Sequence, residues 1–257
     1  MSSERTRVIA IANQKGGVGK TTTSVNLSAC LAERGRRVLV VDLDPQGNAS
    51  TGLGVNSQEL DQTMYDVLLD ETPLDEIVEA TGVKGLFVAP ANLDLAGAEI
   101  ELVPAFSREL RLRNALAEVD DDYDYVVIDC PPSLGLLTVN ALAAAAEVVV
   151  PIQCEYYALE GLSQLLKNVS LVKKNINAGL EVTGIALVMF DGRTHLAKNV
   201  QSEVREHFGD LVFRNVIPRS VRLSEAPSYG QPITLFDSSS RGAVAYRELA
   251  REVDSGA

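Results

Sequence analysis

With 257 residues, 46% of them hydrophobic and 23% charged, the chain is long enough to bury a sizeable core and has the composition of a globular protein. Its 23 Lys+Arg stand against 35 Asp+Glu, a formal net charge of -12, so the molecule as a whole repels nucleic acid and anionic lipid and any polyanion contact has to be local. The composition excludes a membrane span (no apolar run approaches roughly 18–20 residues), a signal peptide at MSSERTRVIAIAN, and a disulfide framework or zinc ribbon from Cys30, Cys130 and Cys154, which are expected as buried free thiols in a cytoplasmic protein.

In chain order, near-continuous apolar runs predict strands over 8–13 (VIAIAN), 37–44 (RVLVVDLD), 85–90, 123–132 (YDYVVIDCPP), 147–153 and 182–190. Helical patterns lie between them at about 21–34, 106–118, 135–146, 156–174, 195–208 and 240–253, the first stopped at Arg34-Gly35. This alternation predicts one α/β domain over 1–257, with a doubly wound, mostly parallel sheet flanked by helices. Two stretches break the rhythm and read as functional loops: the polar, glycine-rich 46–62 and the arginine- and proline-bearing 219–234. The acidic 118–124 reads as a solvated turn.

The strongest signal is Asn13-Gln14-Lys15-Gly16-Gly17-Val18-Gly19-Lys20-Thr21-Thr22, between the first strand and the first helix. Glycines there let backbone N–H groups turn toward an anion, and the helix N-terminus adds partial positive charge. Lys20 supplies a full charge for β- and γ-phosphates, and Thr21 is placed to ligate Mg²⁺. Asp42 and Asp44 are two apart, so they share a face of an extended chain, and Pro45 ends that strand. At the carboxyl edge of a parallel sheet they face the phosphate site. Asp129 stands at the end of another apolar run, with Cys130-Pro131-Pro132-Ser133 directly after it, where it either joins the site or caps the next turn. His195 and His207 have no metal-ligand spacing and read as helix-surface residues, and no GxSxG elbow is present.

The loop departs from GxxxxGK[ST], because Gln14 takes the first glycine position and Lys15 adds a second lysine. KGGVGKTT in this form resembles the deviant Walker A family of P-loop NTPases: ParA/Soj-type partition ATPases, the division-site protein MinD, nitrogenase iron protein and arsenite-pump ATPases. Longer blocks resemble the small ParA/Soj proteins: LAGAEIELV (95–103), IDCPPSLGLLTVNAL (128–142), PIQCEYYALEGLSQLL (151–166) and IPRSVRLSEAPSYGQPI (217–233). The resemblance implies ATP and Mg²⁺ as cofactors, with Gly16, Gly17, Val18, Gly19, Lys20, Thr21 and Thr22 around the phosphates and Pro218 and Arg219 lining the adenine pocket. It implies that Asp129 is the Walker B aspartate, that Asp42 supports the Mg²⁺ shell or the P-loop, and that Asp44 positions the attacking water. Lys15 then reaches the partner's nucleotide in an ATP-dependent homodimer, unless it is a solvated cation near phosphate in its own subunit.

Arg193 and Arg222 match the arginines by which that family grips the backbone of double-stranded DNA without sequence preference. Residues 193–257 hold nine basic and eight acidic side chains against 14 and 27 in residues 1–192, so the basic residues concentrate late. No arginine finger is evident in cis, and slow basal hydrolysis stimulated by a ParB-like centromere-binding protein is expected. The ending LAREVDSGA carries no basic amphipathic membrane helix of the MinD kind, so membrane is not an expected partner and a nucleoid-associated protein is. Two other readings stay open at this stage: a nucleotide switch regulating replication or division, and a positioning ATPase for a cargo other than DNA.

Overall fold

Strands buried on both faces need apolar side chains at every position, and the sheet is built from such segments. The computed structural model describes residues 6–119, 122–155 and 158–256. The middle of the acidic 118–124 stretch, the start expected for the 156–174 helix and the first five residues lie outside the described ones.

The first half of the chain runs β1 (Arg7–Ile11), α1 (Lys20–Glu33), β2 (Val38–Asp42), α2 (Asn48–Gly52), α3 (Met64–Leu69), β3 (Glu79–Ala80), β4 (Leu86–Ala89), α4 (Leu95–Glu101), α5 (Arg111–Ala117) and β5 (Tyr125–Asp129). There follow α6 (Leu136–Ala144), β6 (Glu147–Gln153), α7 (Ala158–Asn175), β7 (Glu181–Phe190), α8 (His195–Phe208), β8 (Val212–Pro218), α9 (Val221–Glu225), α10 (Ile233–Phe236) and α11 (Arg241–Ser255). The strands form one sheet in the order β3-β4-β2-β5-β1-β6-β7-β8. All neighbours are parallel except β3, which runs antiparallel to β4.

Strand alternation sorts the core into two layers. Ile9, Ile11, Val38, Val40 and Val127 face Leu27 and Leu31 of α1, Ala49 near α2's start, and Tyr246 and Leu249 of α11. Ala10, Leu39, Val41, Val126 and Ile128 face Met64, Leu95, Leu112, Leu137 and Ala141 on the opposite side. A doubly wound, three-layer α/β fold results, as the alternation of runs predicts.

The structure adds elements that the sequence pattern did not show. β8 closes the sheet at its edge although its VFRNVIP run is interrupted by Arg214 and Asn215. Glu252 of α11 explains this: its carboxylate accepts both backbone N–H groups, at 2.7 and 2.8 Å, and so fills part of the unpaired edge. The two stretches expected as loops contain short helices, α2 in one and α9 and α10 in the other. The helix expected from 106 begins as α5 at Arg111, after a 3-10 turn at Arg108–Leu110.

Among the described residues no helix is long and apolar enough to cross a membrane. The final helix is tied to the sheet by Arg7, which bonds Glu147 at 2.7 Å and the Val253 carbonyl at 2.6 Å. Asp254 adds bonds from Tyr125, Arg34 and Arg36 at 2.7–2.9 Å. Leu249 is fully buried in this layer. Leu249→Ala should therefore cost about 2–5 kcal/mol, read as a lower urea midpoint at unchanged slope; a midpoint equal to wild type would mean that α11 is not part of the core.

Candidate nucleotide site and arginine surface

Three strand ends meet in one row. Ile11 of β1 registers with Asp129 of β5, which registers in turn with Asp42 of β2. The chain leaving β1 must turn sharply into α1, and Gly17 (φ 72°) and Gly19 (φ 79°) take the left-handed conformations that this turn requires. α1 starts at Lys20 with neither a side-chain cap nor an acidic residue in its first turn, which suits its N-terminus to an external anion. The loop also touches the 131–132 segment, since a side chain added at Gly16 would lie 3.9 Å from the Pro132 Cβ.

Lys20 is buried, and its Nζ donates to the Lys15 carbonyl at 3.2 Å. Burial lowers its pKa, while the carboxylates of Asp129 and Asp44 oppose that shift. Lys15 is half-exposed and points the other way, its Nζ 3.0 Å from Glu155 Oε2. Its backbone N–H is fixed by Asn13 Oδ1 at 3.0 Å, and Asn13 is held by the Pro151 carbonyl at 2.8 Å. Within this chain Lys15 thus takes a partner in cis, and the two lysines serve different neighbours.

Asp129 is completely buried. Its Oδ1 accepts the Ser24 hydroxyl at 2.8 Å, whereas its Oδ2 has no hydrogen-bond partner among the described residues. Burial pushes its pKa up, against the Ser24 and Thr21 hydroxyls, which favour the charged form. A buried orphan carboxylate oxygen beside a hydroxyl fits a hard divalent cation, and Mg²⁺ is commonly held by one or two protein oxygens together with phosphates. Thr21 and Asp129 supply such a set. Among the described residues there is no cluster of three or more His, Cys, Asp or Glu able to hold a metal alone.

Asp42, expected to support the Mg²⁺ shell or the P-loop, bonds the loop that follows it. Its Oδ1 accepts the Asp44 N–H at 3.1 Å, and its Oδ2 accepts both the Ser50 N–H at 2.9 Å and the Ser50 hydroxyl at 2.8 Å. Both oxygens are committed to the following loop, so Asp42 organises the protein around the site. Burial, then the neighbouring charge of Asp129, raises its pKa. Asp44 is nearly buried and uses Oδ1 to hold the Gln46 N–H at 3.0 Å. Its charge adds to the rise of the Asp129 pKa and opposes the lowering of the Lys20 pKa, as expected of a carboxylate near both.

On the far side of the loop, β7 ends beside β8. The Arg219 N–H donates to the Phe190 carbonyl at 3.0 Å, with Pro218 closing β8 just before it. Met189 takes a left-handed φ of 51°, and a side chain added at Gly19 would meet its Cε at 3.5 Å. Pro218 and Arg219 therefore share the sheet edge with the phosphate loop. Thr22 opens α1 next to Thr21 and gives its carbonyl to Asn26 Nδ2 at 2.7 Å. Val18 is buried inside the loop.

Both surface arginines are exposed and already paired. Asp191 chelates Arg193 at 2.8 and 2.7 Å, an arrangement that holds the aspartate's pKa far below the usual range. Arg222 bonds Asp237 at 2.9 Å and Glu225 at 3.1 Å and lies over the Phe236 ring at 5.0 Å. The sequence reading missed these carboxylates. Asp191, two residues before Arg193, and Glu225, three after Arg222 on a helix, were visible as spacings; Asp237 was not. It also missed Ser24 and Glu155, which matter through contacts far along the chain, and Ser50, which bonds Asp42 eight residues back. The three cysteines are buried and free, and His195 and His207 are exposed on α8, as expected.

The Ser50 hydroxyl both donates to Asp42 and accepts the Ala91 N–H at 3.2 Å, so it pins α2 to the sheet. Ser50→Ala should destabilise the fold by about 1–2 kcal/mol in urea titration. An unchanged midpoint would contradict the loop-holding role of Asp42.

Comparison with known proteins agrees with this geometry. Residues 6–182 match the family model described as an AAA domain. The sporulation initiation inhibitor protein Soj of Bacillus subtilis is 60% identical over 96% of this chain and 98% of its own length. The chromosome partitioning protein ParA of Myxococcus xanthus is 54% identical over 96% and 87%. Among solved structures, cobyrinic acid a,c-diamide synthase from Mycobacterium smegmatis, with bound ATP analogue and magnesium, superposes with a TM-score of 0.86 at 42% identity, covering 98% and 97% of the two chains. With these relatives matched over nearly their whole length, and with a phosphate loop, an orphan aspartate and two lysines at one sheet edge, the chain belongs to the Soj/ParA family of chromosome-partitioning ATPases.

Proposed function

We propose that this chain is an ATPase that dimerises on ATP and Mg²⁺, binds double-stranded DNA without sequence preference as a dimer, and drives chromosome or plasmid segregation. The observation that carries the reading is the two-lysine loop: Lys20 is buried on the loop's own carbonyl, while Lys15 is half-exposed at the surface. One lysine suits a phosphate bound in the same subunit, and the other suits a group brought by a second copy.

The residues divide the work of phosphoryl transfer, which is mostly positioning and charge neutralisation. Loop N–H groups from Gly16 to Thr22 and the start of α1 hold the phosphates. Lys20 exchanges the Lys15 carbonyl for β- and γ-phosphate oxygens. Thr21 and Asp129 would hold Mg²⁺, which when bound would supply neutralisation of phosphate charge. Asp44, fixed by Gln46 and near Lys20, orients the attacking water. Lys15 leaves Glu155 and reaches the partner's nucleotide, and Pro218 and Arg219 line the base. With no arginine finger evident in the sequence, basal turnover is slow, and a ParB-like protein at the centromere accelerates it.

Arg193 and Arg222 exchange their carboxylate partners for DNA phosphates. Two arginines per chain give weak, salt-sensitive contact in a molecule of net charge -12, and a dimer doubles them. DNA binding is thereby gated by ATP, on the nucleoid in the cytoplasm. The name of the Bacillus subtilis relative favours a second reading, a nucleotide switch acting on a regulator, with the same chemistry and a different partner.

Lys15→Ala should bind ATP within a few-fold of wild type but fail to double its mass in light scattering, with turnover at least about ten-fold lower. A normal ATP-dependent mass would remove Lys15 from the interface. Arg222→Glu should keep ATP-dependent dimerisation and lose DNA retention at least about ten-fold; retention equal to wild type would take Arg222 out of the DNA surface.

A further inference from the structure

The two stretches that break the α/β rhythm, 46–62 and 219–234, meet backbone to backbone at Gly54 and Gly230. A Cβ added to Gly54 would lie 2.9 Å from the Gly230 carbonyl oxygen, and one added to Gly230 would lie 3.0 Å from the Gly54 Cα. Both residues are left-handed (φ 84° and 61°), so each ends a tight turn and presents main chain alone to the other.

From this contact, backbone hydrogen bonds lead in both directions. On one side the Gly54 N–H donates to Thr51 O at 3.0 Å, the Thr51 N–H to Gly47 O at 3.0 Å, and the Gly47 N–H to Asp44 O at 2.9 Å. On the other side the Gly230 N–H donates to Pro227 O at 3.0 Å, and the Gln231 N–H to Ala226 O at 3.3 Å. The Ala226 N–H in turn donates to Arg222 O at the end of α9. Asp44 and Arg222 are thus joined by short hydrogen-bonded turns with one non-bonded step, the glycine pair.

The far end of the arginine segment is anchored elsewhere. The Ile233 N–H donates to Asn26 Oδ1 at 2.7 Å, and Asn26 is itself held on α1 by the Thr22 carbonyl. α2 is joined to the Asp44 loop through Gly47 and Thr51 and pinned at Asp42 by Ser50, so a shift of that loop tilts α2 about Ser50 relative to α1. A cleft of about 250 Å³ between α1, α2 and Ala226–Gln231 leaves room for that shift. Packed elements of this kind move between discrete arrangements.

We infer that Gly54 and Gly230 are positioning residues: their contact transmits the state of the Asp44 loop to α9 and so sets where Arg222 stands. The inference rests on the DNA role given to Arg222 in the proposed function. It adds the physical route by which nucleotide and DNA are coupled, an exchange that is reciprocal between the two sites.

The test uses the full chain. In wild type without DNA, amide hydrogen exchange is compared with ADP and with a slowly hydrolysed ATP analogue. Residues 226–233 should change protection together with 47–55; a response confined to 47–55 overturns the proposal. In Gly230→Ala, ATP-analogue affinity should stay within two-fold of wild type and the analogue should still double the mass, DNA retention should fall at least ten-fold, and the response at 226–233 should vanish. A folded variant that retains DNA like wild type overturns it. Should that variant fail to fold, the wild-type exchange pattern decides. If wild type binds no DNA in any nucleotide state, the DNA reading falls, and the exchange pattern still decides whether the junction transmits.

Discussion

Two carboxyl groups, Asp42 and Asp129, sit opposite each other on adjacent strands with no exposure to solvent, and the site is arranged around that constraint. Like charges taken out of water side by side are expensive unless each finds compensation. Asp42 finds it in the loop it organises, accepting from Asp44 and twice from Ser50. Asp129 receives one hydroxyl and keeps one oxygen unpartnered, with Lys20 close enough for its charge to oppose the rise in pKa. In the proposed function, a cation held at that oxygen together with phosphates on the loop would complete the arrangement, so substrate and metal would be parts of one electrostatic balance.

The same logic holds at the surface, with opposite sign. Arg193 and Arg222 are exposed cations in an acidic molecule, and each rests on carboxylates from its own chain. Under the proposed function, DNA phosphates compete with those partners, which keeps contact by a single chain weak. Lys15 follows the pattern, resting on Glu155. In that reading the three cations exchange short-range partners for phosphate, and this is what would make them responsive to nucleotide, to DNA and to a second copy.

Much of the fold was legible because burial on both strand faces writes itself as unbroken apolar runs, as in VIAIAN and YVVID. The phosphate loop was legible because its glycines, lysine and threonine act within ten residues of one another. What escaped depends on contacts between distant parts of the chain. β8 has polar residues within its run and is read as a strand only once Glu252 is seen taking the Arg214 and Asn215 N–H groups. The resemblance put Asp42 in support of the Mg²⁺ shell or the P-loop, and the Ser50 hydroxyl that bonds it belongs to a loop that the pattern left without structure. The Arg222–Asp237 pair spans 15 residues and two helices, so no local period announces it.

The account stands or falls on whether nucleotide assembles two chains into one DNA-binding unit. The most direct measurement is the mass of the purified protein, by light scattering at one moderate salt concentration, together with its retention on non-specific DNA, under ADP and under a slowly hydrolysed ATP analogue. The account predicts a monomer without retention in ADP, and a doubled mass with retention in the analogue. A doubled mass with no DNA retained would contradict the assignment of Arg193 and Arg222, and an unchanged mass in the analogue would contradict the shared site itself.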